Sequence, residues 1–439
     1  MAGSRYLIAL MAVFMVSAVG CFYDQLPRTN PFDPEGITYG CSGNWQLTRL
    51  RGNAGSLTVN GTAADSTGNI YVCGDTGSTL DGQSFGGGIQ DAYLIKFDPK
   101  GNWLWTRLAG GAGDDVGHGV AVDTEDNVYL AGNTTSGFDG EGGFGGQDIF
   151  IKKFRKDGFP QWTRIRGSGG NDTPYDIVYS GGALYLCGEA NGAFDGQPYS
   201  AISDLVVMKY KLDGGWLWTK MRGTVNTDQP RAIAVAGNSI YVAMQANASF
   251  DGQTAFGLTD ICFVKFDTSG NWIFTRQRGT ANSDNVYGGA ADVSGNFYIA
   301  ASTDAVFDGQ VPAGSTDACL VKYDAEGNWK WTRMRGCSSG DTGKGVSVDK
   351  KGMIYIAGDT TGAFDGQIFG GGSQDAFVCA YAANGNWQWT RLRGGTGGDY
   401  ATAVIVDPAG NVVLGGNAAG SVDGQTYSGG TDLLFVKYD

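Results

Sequence analysis

The chain has 439 residues, of which 74 are glycine, more than twice the ordinary share of roughly 7%, and this excludes a protein built on long helices. A formal net charge of −13 excludes general electrostatic attraction to nucleic acid or anionic lipid. One histidine and no Cys-x-x-Cys motif argue against zinc, and we expect neither a metal nor a cofactor. A globular, turn-rich β protein remains.

Residues 1–20 have the pattern of a secretory signal peptide. Arg5 precedes an apolar run over residues 6–19, which is shorter than the roughly 20 residues of a spanning helix. Residues 17–21 read Ser-Ala-Val-Gly-Cys and resemble a bacterial lipobox, which implies that Cys21 is diacylated and that residues 21–42 form a tether. Phe22 follows, where Asp would indicate the inner membrane, so we expect an outer-membrane or cell-surface lipoprotein. Plain signal cleavage is the alternative.

The rest of the chain, residues 43–439, consists of seven repeats of 55 to 58 residues. Each begins with a variant of Gly-Asn-Trp-x-Trp-Thr-Arg-x-Arg-Gly, and all 11 Trp lie within this phrase. The phrase begins at Gly43, Gly101, Gly158, Gly215, Gly270, Gly327 and Gly385. Repetition at this period indicates a repeat architecture and overrides a domain count drawn from length.

Four short strands are predicted in each repeat. For the second repeat they span residues 116–123, 127–132 and 148–154, followed by 160–166 of the next phrase. The turn signature Asp-x-x-Gly-Asn recurs between strands and is typical of tight hairpins. Seven such units predict a single all-β, seven-bladed β-propeller with four-stranded antiparallel blades. Asp439 begins a turn that residues 41–44 would complete. We therefore expect the strand over residues 45–51 to close the ring by pairing with residues 432–438 of the last blade.

The repeats also resemble a known family. Residues 127–132 read Asn-Val-Tyr-Leu-Ala-Gly, and residues 90–98 read Gln-Asp-Ala-Tyr-Leu-Ile-Lys-Phe-Asp before Gly101. They are similar to the seven-bladed β-propeller repeats of bacterial lipoproteins, and less so to quinoprotein repeats, which usually form eight blades. The resemblance implies the fold and carries no common reaction.

Three recurring residue types have structural interpretations. An Asp-Gly pair, usually within Phe-Asp-Gly-Gln, occurs once per repeat, and we interpret its Asp as a turn residue that accepts backbone N–H bonds, with calcium binding as the alternative. Arginine pairs such as Arg49 and Arg51 are predicted to stack on Trp and to pair with these Asp residues. The cysteines after Cys21 are interpreted as core residues, although one disulfide involving Cys41 or Cys337 stays open.

One column of the aligned repeats differs from blade to blade. It lies in the predicted innermost strand and is followed by a column of small residues, broken by Asp176. We expect the small residues where innermost strands crowd the axis. The column that differs would form a ligand-binding ring of polar and aromatic side chains near one mouth of the channel; the alternative is that these side chains only fill a solvated channel. The ring consists of Asn60, His118, Tyr175, Arg231, Tyr287, Lys344 and Thr402.

These features predict a non-catalytic binding or scaffold propeller. The acidic residues are distributed once per blade, no nucleophile elbow is present, and catalysis needs one unequal constellation. We expect a monomer, anchored to the membrane by its lipid alone, that recognises an envelope protein segment or a glycan. A glycan-active enzyme and a purely structural role in envelope assembly are the alternatives.

Overall fold

The computed structural model describes residues 41–53, 55–200 and 202–439. The predicted signal peptide, Cys21 and the tether as far as residue 40 lie outside the described residues. In the described part of the chain the regular structure is entirely β, and no helix is long and apolar enough to cross a membrane.

Twenty-eight strands follow one another within the described residues. The first fourteen are β1 Trp45–Arg51, β2 Leu57–Ala64, β3 Ile70–Thr76, β4 Asp91–Phe97, β5 Trp103–Ala109, β6 Asp115–Val122, β7 Val128–Thr134, β8 Asp148–Phe154, β9 Pro160–Arg166, β10 Asp172–Ser180, β11 Ala183–Ala190, β12 Asp204–Lys211, β13 Trp216–Arg222 and β14 Asp228–Ala236. The others are β15 Ser239–Ala246, β16 Asp260–Asp267, β17 Trp272–Arg278, β18 Asn285–Ala291, β19 Phe297–Thr303, β20 Asp317–Tyr323, β21 Trp329–Arg335, β22 Asp341–Val348, β23 Ile354–Thr360, β24 Asp375–Tyr381, β25 Trp387–Arg393, β26 Asp399–Val406, β27 Val412–Ala418 and β28 Asp432–Tyr438.

The strands form seven four-stranded antiparallel sheets, the blades of a propeller. Blades 1 to 6 use consecutive strands, from β2–β5 to β22–β25, and blade 7 has the order β26, β27, β28, β1. Within blade 7, Trp45 pairs with Tyr438 and Arg51 with Leu433, so the predicted fold and the predicted closure are confirmed. Closure leaves no blade incomplete.

The predicted Asp-x-x-Gly-Asn hairpins form as expected. In the first of them, Asp65 Oδ1 accepts hydrogen bonds from the backbone N–H groups of Thr67, at 3.0 Å, and Asn69, at 2.9 Å. Gly68 has a φ of 84°, a left-handed conformation that glycine adopts without steric cost. The carboxylate thus fixes the turn that joins β2 to β3.

The hydrophobic core is divided among the joints between blades. Seven clusters of buried residues each combine side chains of two adjacent blades; one, for example, packs Tyr71 and Leu94 of blade 1 against Leu130 and Phe150 of blade 2. Because each blade shares its core with both neighbours, no blade can bury its apolar surface alone.

The Asp-Gly turns differ from their sequence interpretation. The Asp of each turn itself has a positive φ, between 48° and 54°, and its carboxylate binds side chains, not the predicted backbone donors. The partner within the blade is the threonine hydroxyl of the outermost strand, as in Thr163 and Asp139 at 2.5 Å. A two-residue hairpin with positive φ at both central positions explains why Asp-Gly occurs there.

The predicted arginine partners are confirmed for the second arginine of each pair, and these partners lie in the next blade. In six joints this arginine stacks at 4.0–5.3 Å over the first Trp of the next outermost strand, and its Nε lies 2.6–3.7 Å from a carboxylate oxygen of the Asp in the next Asp-Gly turn. The first arginine of the pair also stacks on a Trp, as Arg333 does over Trp331 at 5.1 Å, but its Nε donates to a backbone carbonyl and not to an Asp, as in Arg333 to Gly385 O at 2.7 Å. We call the six stacked pairs the Arg–Trp belt: Arg51–Trp103, Arg166–Trp216, Arg222–Trp272, Arg278–Trp329, Arg335–Trp387 and Arg393–Trp45.

The joint between blades 1 and 2 replaces this arrangement. Ala109 stands where the arginine would be, and Pro160 where the Trp would be. Asp139 receives its cation from Lys152 of its own blade, whose Nζ lies 2.5 Å from Asp139 Oδ2. In blade 3, which receives Arg166 from its neighbour, the position equivalent to Lys152 is Met208. In blade 2, a lysine of the same blade therefore substitutes for the arginine of the neighbouring blade.

The cysteines of the described residues are all free thiols, so no disulfide forms among Cys41, Cys337 and the other five. Cys73, Cys187, Cys262 and Cys319 are fully buried in the core, which confirms that they serve as apolar core residues.

Candidate functional site

The seven predicted ring residues occupy one equivalent position, a β-bulge in the innermost strand of each blade. In β2 the register shifts between Val59 and Gly61, and Asn60 is the extra residue; the other six strands do the same at their ring residue. A bulge leaves one residue out of the ladder and redirects its side chain. We call Asn60, His118, Tyr175, Arg231, Tyr287, Lys344 and Thr402 the polar ring.

The small residues after the bulge allow the innermost strands to approach one another. A Cβ built on Gly61 would lie 3.0 Å from His118 O in the next blade, and one on Gly345 would lie 2.9 Å from Val404 N. The predicted crowding is thus a contact between neighbouring strands. Asp176 is the exception because its carboxylate accepts the N–H of Ile233 in the next blade at 3.0 Å.

Sequence reasoning missed a second circle of polar side chains, which comes from the second strand of each blade. We call it the partner ring: Asp75, Asn133, Glu189, Gln245, Ser302, Asp359 and Asn417. It is more deeply buried than the polar ring, and five of its members hold the polar-ring residue of their own blade. The signal was present, since this column also differs between repeats while the residues around it agree.

Three adjacent blades contribute a continuous arc of aromatic and cationic groups. The rings of His118 and Tyr175 have centroids 6.1 Å apart, and the Arg231 guanidinium carbon lies 5.0 Å from the centroid of Tyr175. The Tyr175 hydroxyl donates to Glu189 Oε1 at 3.0 Å, so the Tyr175 ring is fixed beneath the arginine.

His118 is neutral at physiological pH. Burial lowers its pKa to about 4, and the hydrogen bond to Asn133 only partly opposes this. Its Nε2 lies 2.5 Å from Asn133 Oδ1, and this hydrogen bond to the side-chain amide holds the ring in place. The imidazole therefore offers a polar aromatic surface without charge.

The remaining polar-ring residues differ in how far their polar groups are paired with other groups of the protein. Lys344 Nζ lies 2.5 Å from Asp359 Oδ1, and Asn60 Nδ2 donates to Gly117 O at 2.9 Å. Thr402 Oγ1 donates to Gly415 O at 3.2 Å. Tyr287 is the most open, with 36% of its surface exposed, and its hydroxyl has no hydrogen bond within the described residues.

The polar ring lies in the first half of the innermost strands. Each of its residues is the third or fourth of an innermost strand of seven to nine residues, so the loops that enter that strand and leave the second strand lie on the nearer side. Six members are half-buried and Tyr287 is exposed, so their side chains are partly accessible to solvent. Within the described residues, no group of three or more His, Cys, Asp or Glu side chains could hold a metal ion.

Comparison with known proteins supports the repeat family in part of the chain. Residues 46–80 and 104–139 match the family model described as Beta-propeller repeat, SBBP. Together with the seven blades, these matches agree with the resemblance drawn from the repeats.

Two curated proteins share limited sequence similarity with the chain. The regulatory protein FlaEY of Caulobacter vibrioides is 24% identical over 47% of this chain and 24% of its own length. An uncharacterized WD repeat-containing protein, L264, of Acanthamoeba polyphaga mimivirus is 26% identical over 31% of this chain and 12% of its own length. The chain therefore spans a quarter or less of the curated relatives it matches.

Solved structures share the fold across nearly the whole chain. The WD40 β-propeller domain of Doa1 has a TM-score of 0.51 at 12% identity and covers 90% of this chain and 97% of its own. The polysaccharide lyase Uly1 has a TM-score of 0.51 at 11% identity and covers 90% of this chain and 99% of its own. At such identities the likeness shows a β-propeller and no activity.

Proposed function

We propose that this protein is a non-catalytic binding propeller whose polar ring recognises a segment of an envelope protein or a glycan. One observation carries the proposal: where the repeats otherwise agree, seven side chains of six kinds occupy seven equivalent bulges of the innermost strands. Aromatic and arginine side chains contribute strongly to binding, and polar groups converging in a concave site fix the orientation of a ligand.

The acidic residues of the partner ring support binding without catalysis. Asp359 is paired with Lys344, Glu189 accepts the Tyr175 hydroxyl, and Asp75 accepts Asn60 Nδ2 at 3.4 Å. Each acid thus holds a polar-ring side chain in place. A glycan-active enzyme would instead need two carboxyl groups facing a substrate at roughly 5 to 10 Å, and loss of turnover on replacing both would establish it.

The test compares the protein with a Tyr175→Ala, Arg231→Ala, Tyr287→Ala variant in a pull-down from envelope extract and on a glycan array. The expected result is loss of the captured partner with folding intact. A matched triple variant at the exposed outer edge, Leu104→Ala, Gln161→Ala and Leu217→Ala, should retain it. Capture that survives in the polar-ring variant and fails in the outer-edge variant would place the site on the blade rims. Capture that survives in both would favour a purely structural role.

We further propose that the protein is exported, bacterial, monomeric and anchored to the outer membrane or cell surface through a lipid on Cys21. The chain enters the propeller on the face where the innermost strands end, where Trp389 Nε1 donates to Cys41 O at 3.1 Å and Trp45 begins β1 beside Tyr438. An anchor on that side leaves the other face, where the innermost strands begin, open to a ligand.

Replacing Cys21 with Ser should abolish labelling by a fatty-acid probe and release the protein from membranes. A Cys41→Ser variant is the matched control and should stay labelled, because Cys41 is buried in the propeller. Labelling that persists without Cys21 would contradict the anchor.

A further inference from the structure

Arg231 differs from the other charged side chains of the polar ring and the partner ring. Its Nη2 donates to Gln229 Oε1 at 2.9 Å and its Nε to Gln245 Oε1 at 3.4 Å, and both acceptors are neutral amides. In the described part of the chain it forms no ion pair, and its Nη1 donates to no group. A guanidinium held in place with donors to spare and no counter-ion is prepared for a carboxylate.

The other cation of the polar ring and the arginines of the Arg–Trp belt each have a carboxylate partner, which Arg231 lacks. Lys344 has Asp359 at 2.5 Å, and each arginine of the Arg–Trp belt has the Asp of an Asp-Gly turn. Glu189 is the acid whose charge also acts on Arg231, but it is engaged by Tyr175, and burial raises the pKa of its carboxyl group. Its compensation of Arg231 is therefore incomplete.

The neighbours of Arg231 indicate what carries the carboxylate. Tyr175 lies beneath the guanidinium in blade 3, and the exposed Tyr287 occupies the same position in blade 5. Two aromatic side chains thus flank one arginine along the polar ring, and aromatic faces pack well against the apolar faces of a ring-shaped ligand.

We infer that Arg231, supported by the Tyr175 ring beneath it, binds the carboxylate of a uronic acid unit in a glycan, with the exposed Tyr287 packing against the sugar ring. This inference rests on the proposed function and narrows its ligand to an acidic glycan. The partner ring gives Lys344 a carboxylate, Asp359, but gives Arg231 only a neutral amide, Gln245. At Arg231 the ligand supplies the carboxylate.

The test is calorimetric titration of the full chain with tetragalacturonate and with its methyl ester, which keeps the sugar rings and removes the charge. The acid should bind at least about tenfold more tightly than the ester, as expected for a charge-assisted hydrogen bond. Arg231→Gln should abolish that preference while weak binding of the ester persists. Arg155→Gln makes the same change of charge on the opposite face, in an ion pair with Asp157, and should retain the preference.

Equal affinity for acid and ester, or an acid preference that survives in Arg231→Gln, would overturn the inference. Tetra-alanine with a free C-terminus, against its C-terminal amide, tests the other source of carboxylate; tighter Arg231-dependent binding of this peptide than of the sugar acid would also overturn it. The proposed function is judged separately, because the polar-ring triple variant can lose its captured partner even when neither carboxylate probe binds.

Discussion

The glycine that ends each Trp-Thr-Arg phrase is required by a carboxylate. A Cβ added to Gly223 would overlap the carboxylate of Asp204, the first residue of the adjacent strand, and the same holds for Gly279 and Asp260 and for Gly394 and Asp375. This carboxylate is buried and accepts the N–H of Ser200 at 2.8 Å, so it has little room to move. The sequence shows the repeated glycine but not its cause.

We predict that Gly223→Ala lowers the free energy of unfolding by about 1–3 kcal/mol, the usual cost of overpacking a rigid site. Urea unfolding measures the change. Gly169→Ala is the matched control, because a Cβ there meets no atom within 4 Å, and it should change the free energy by less than about 0.5 kcal/mol. Equal stability of the two variants would show that Asp204 moves aside.

The polar ring shows how far single residues could be predicted. Asn60 and its six equivalents were found because a repeat makes differences visible, and the structure places all seven at equivalent bulges of the innermost strands. The bulge was not visible in the sequence. The pairing of Tyr175 with Glu189 and of Lys344 with Asp359 could therefore not be predicted either. Such pairs depend on register, which a one-residue insertion shifts.

At the scale of strands, buried Asp residues begin the innermost strands. Asp115, Asp172, Asp228, Asp341 and Asp399 are fully buried, and each accepts the backbone N–H of the fourth residue before it. Burial, with smaller contributions from neighbouring carboxylates, raises the pKa of the first three to about 6. At each strand start, the buried carboxyl group satisfies a backbone N–H, but burial makes its ionised form unfavourable.

The raised pKa values give a pH dependence. An unfolded Asp loses its proton near pH 4 and the folded Asp228 near pH 6, so between these values the folded state holds more protons. Stability therefore falls as the pH rises through this window. His118, with its pKa lowered to about 4, acts in the opposite direction, but Asp115, Asp172, Asp228 and Asp375 outnumber it.

We predict that the protein is less stable to urea at pH 6.5 than at pH 4.5, and that Asp228→Asn reduces this difference. The amide can accept from Thr224 N and donate to Thr224 Oγ1, which lie around Asp228. The control is Asp98→Asn, because hydrogen bonds from its hairpin lower the pKa of Asp98 and its titration lies below the window. An unchanged difference in Asp228→Asn would contradict this prediction.

At the scale of the whole molecule, the propeller closes through a hairpin made from both parts of the chain. Gly43 N donates to Asp439 O at 2.8 Å, and Asn44 N donates to Asp439 Oδ1 at 3.2 Å, as Gly101 and Asn102 do with Asp98 in blade 1. The two ends therefore form the same Asp-x-x-Gly-Asn turn as the internal repeats. This was predictable because the turn is read from local residues and the strand count leaves one place for β1.

This equivalence predicts that the break in the chain can be moved by one blade. In a circular permutant Asp439 is followed directly by Cys41, which recreates a continuous turn, and the chain begins at Pro99 and ends at Asp98. Every strand pairing and all seven cores are kept, and only the location of the open turn changes, at an exposed hairpin where permutation is tolerated. The permutant should unfold cooperatively within a few degrees of an unpermuted chain of residues 41–439, measured by thermal denaturation followed by circular dichroism.

A second permutant, opened within β15 between Val242 and Ala243, should fail to fold, because this break removes ladder hydrogen bonds at fully buried positions. If the first permutant also failed, residues 41–44 would contribute more than the turn, through Trp389 and Arg391, which both donate to this segment.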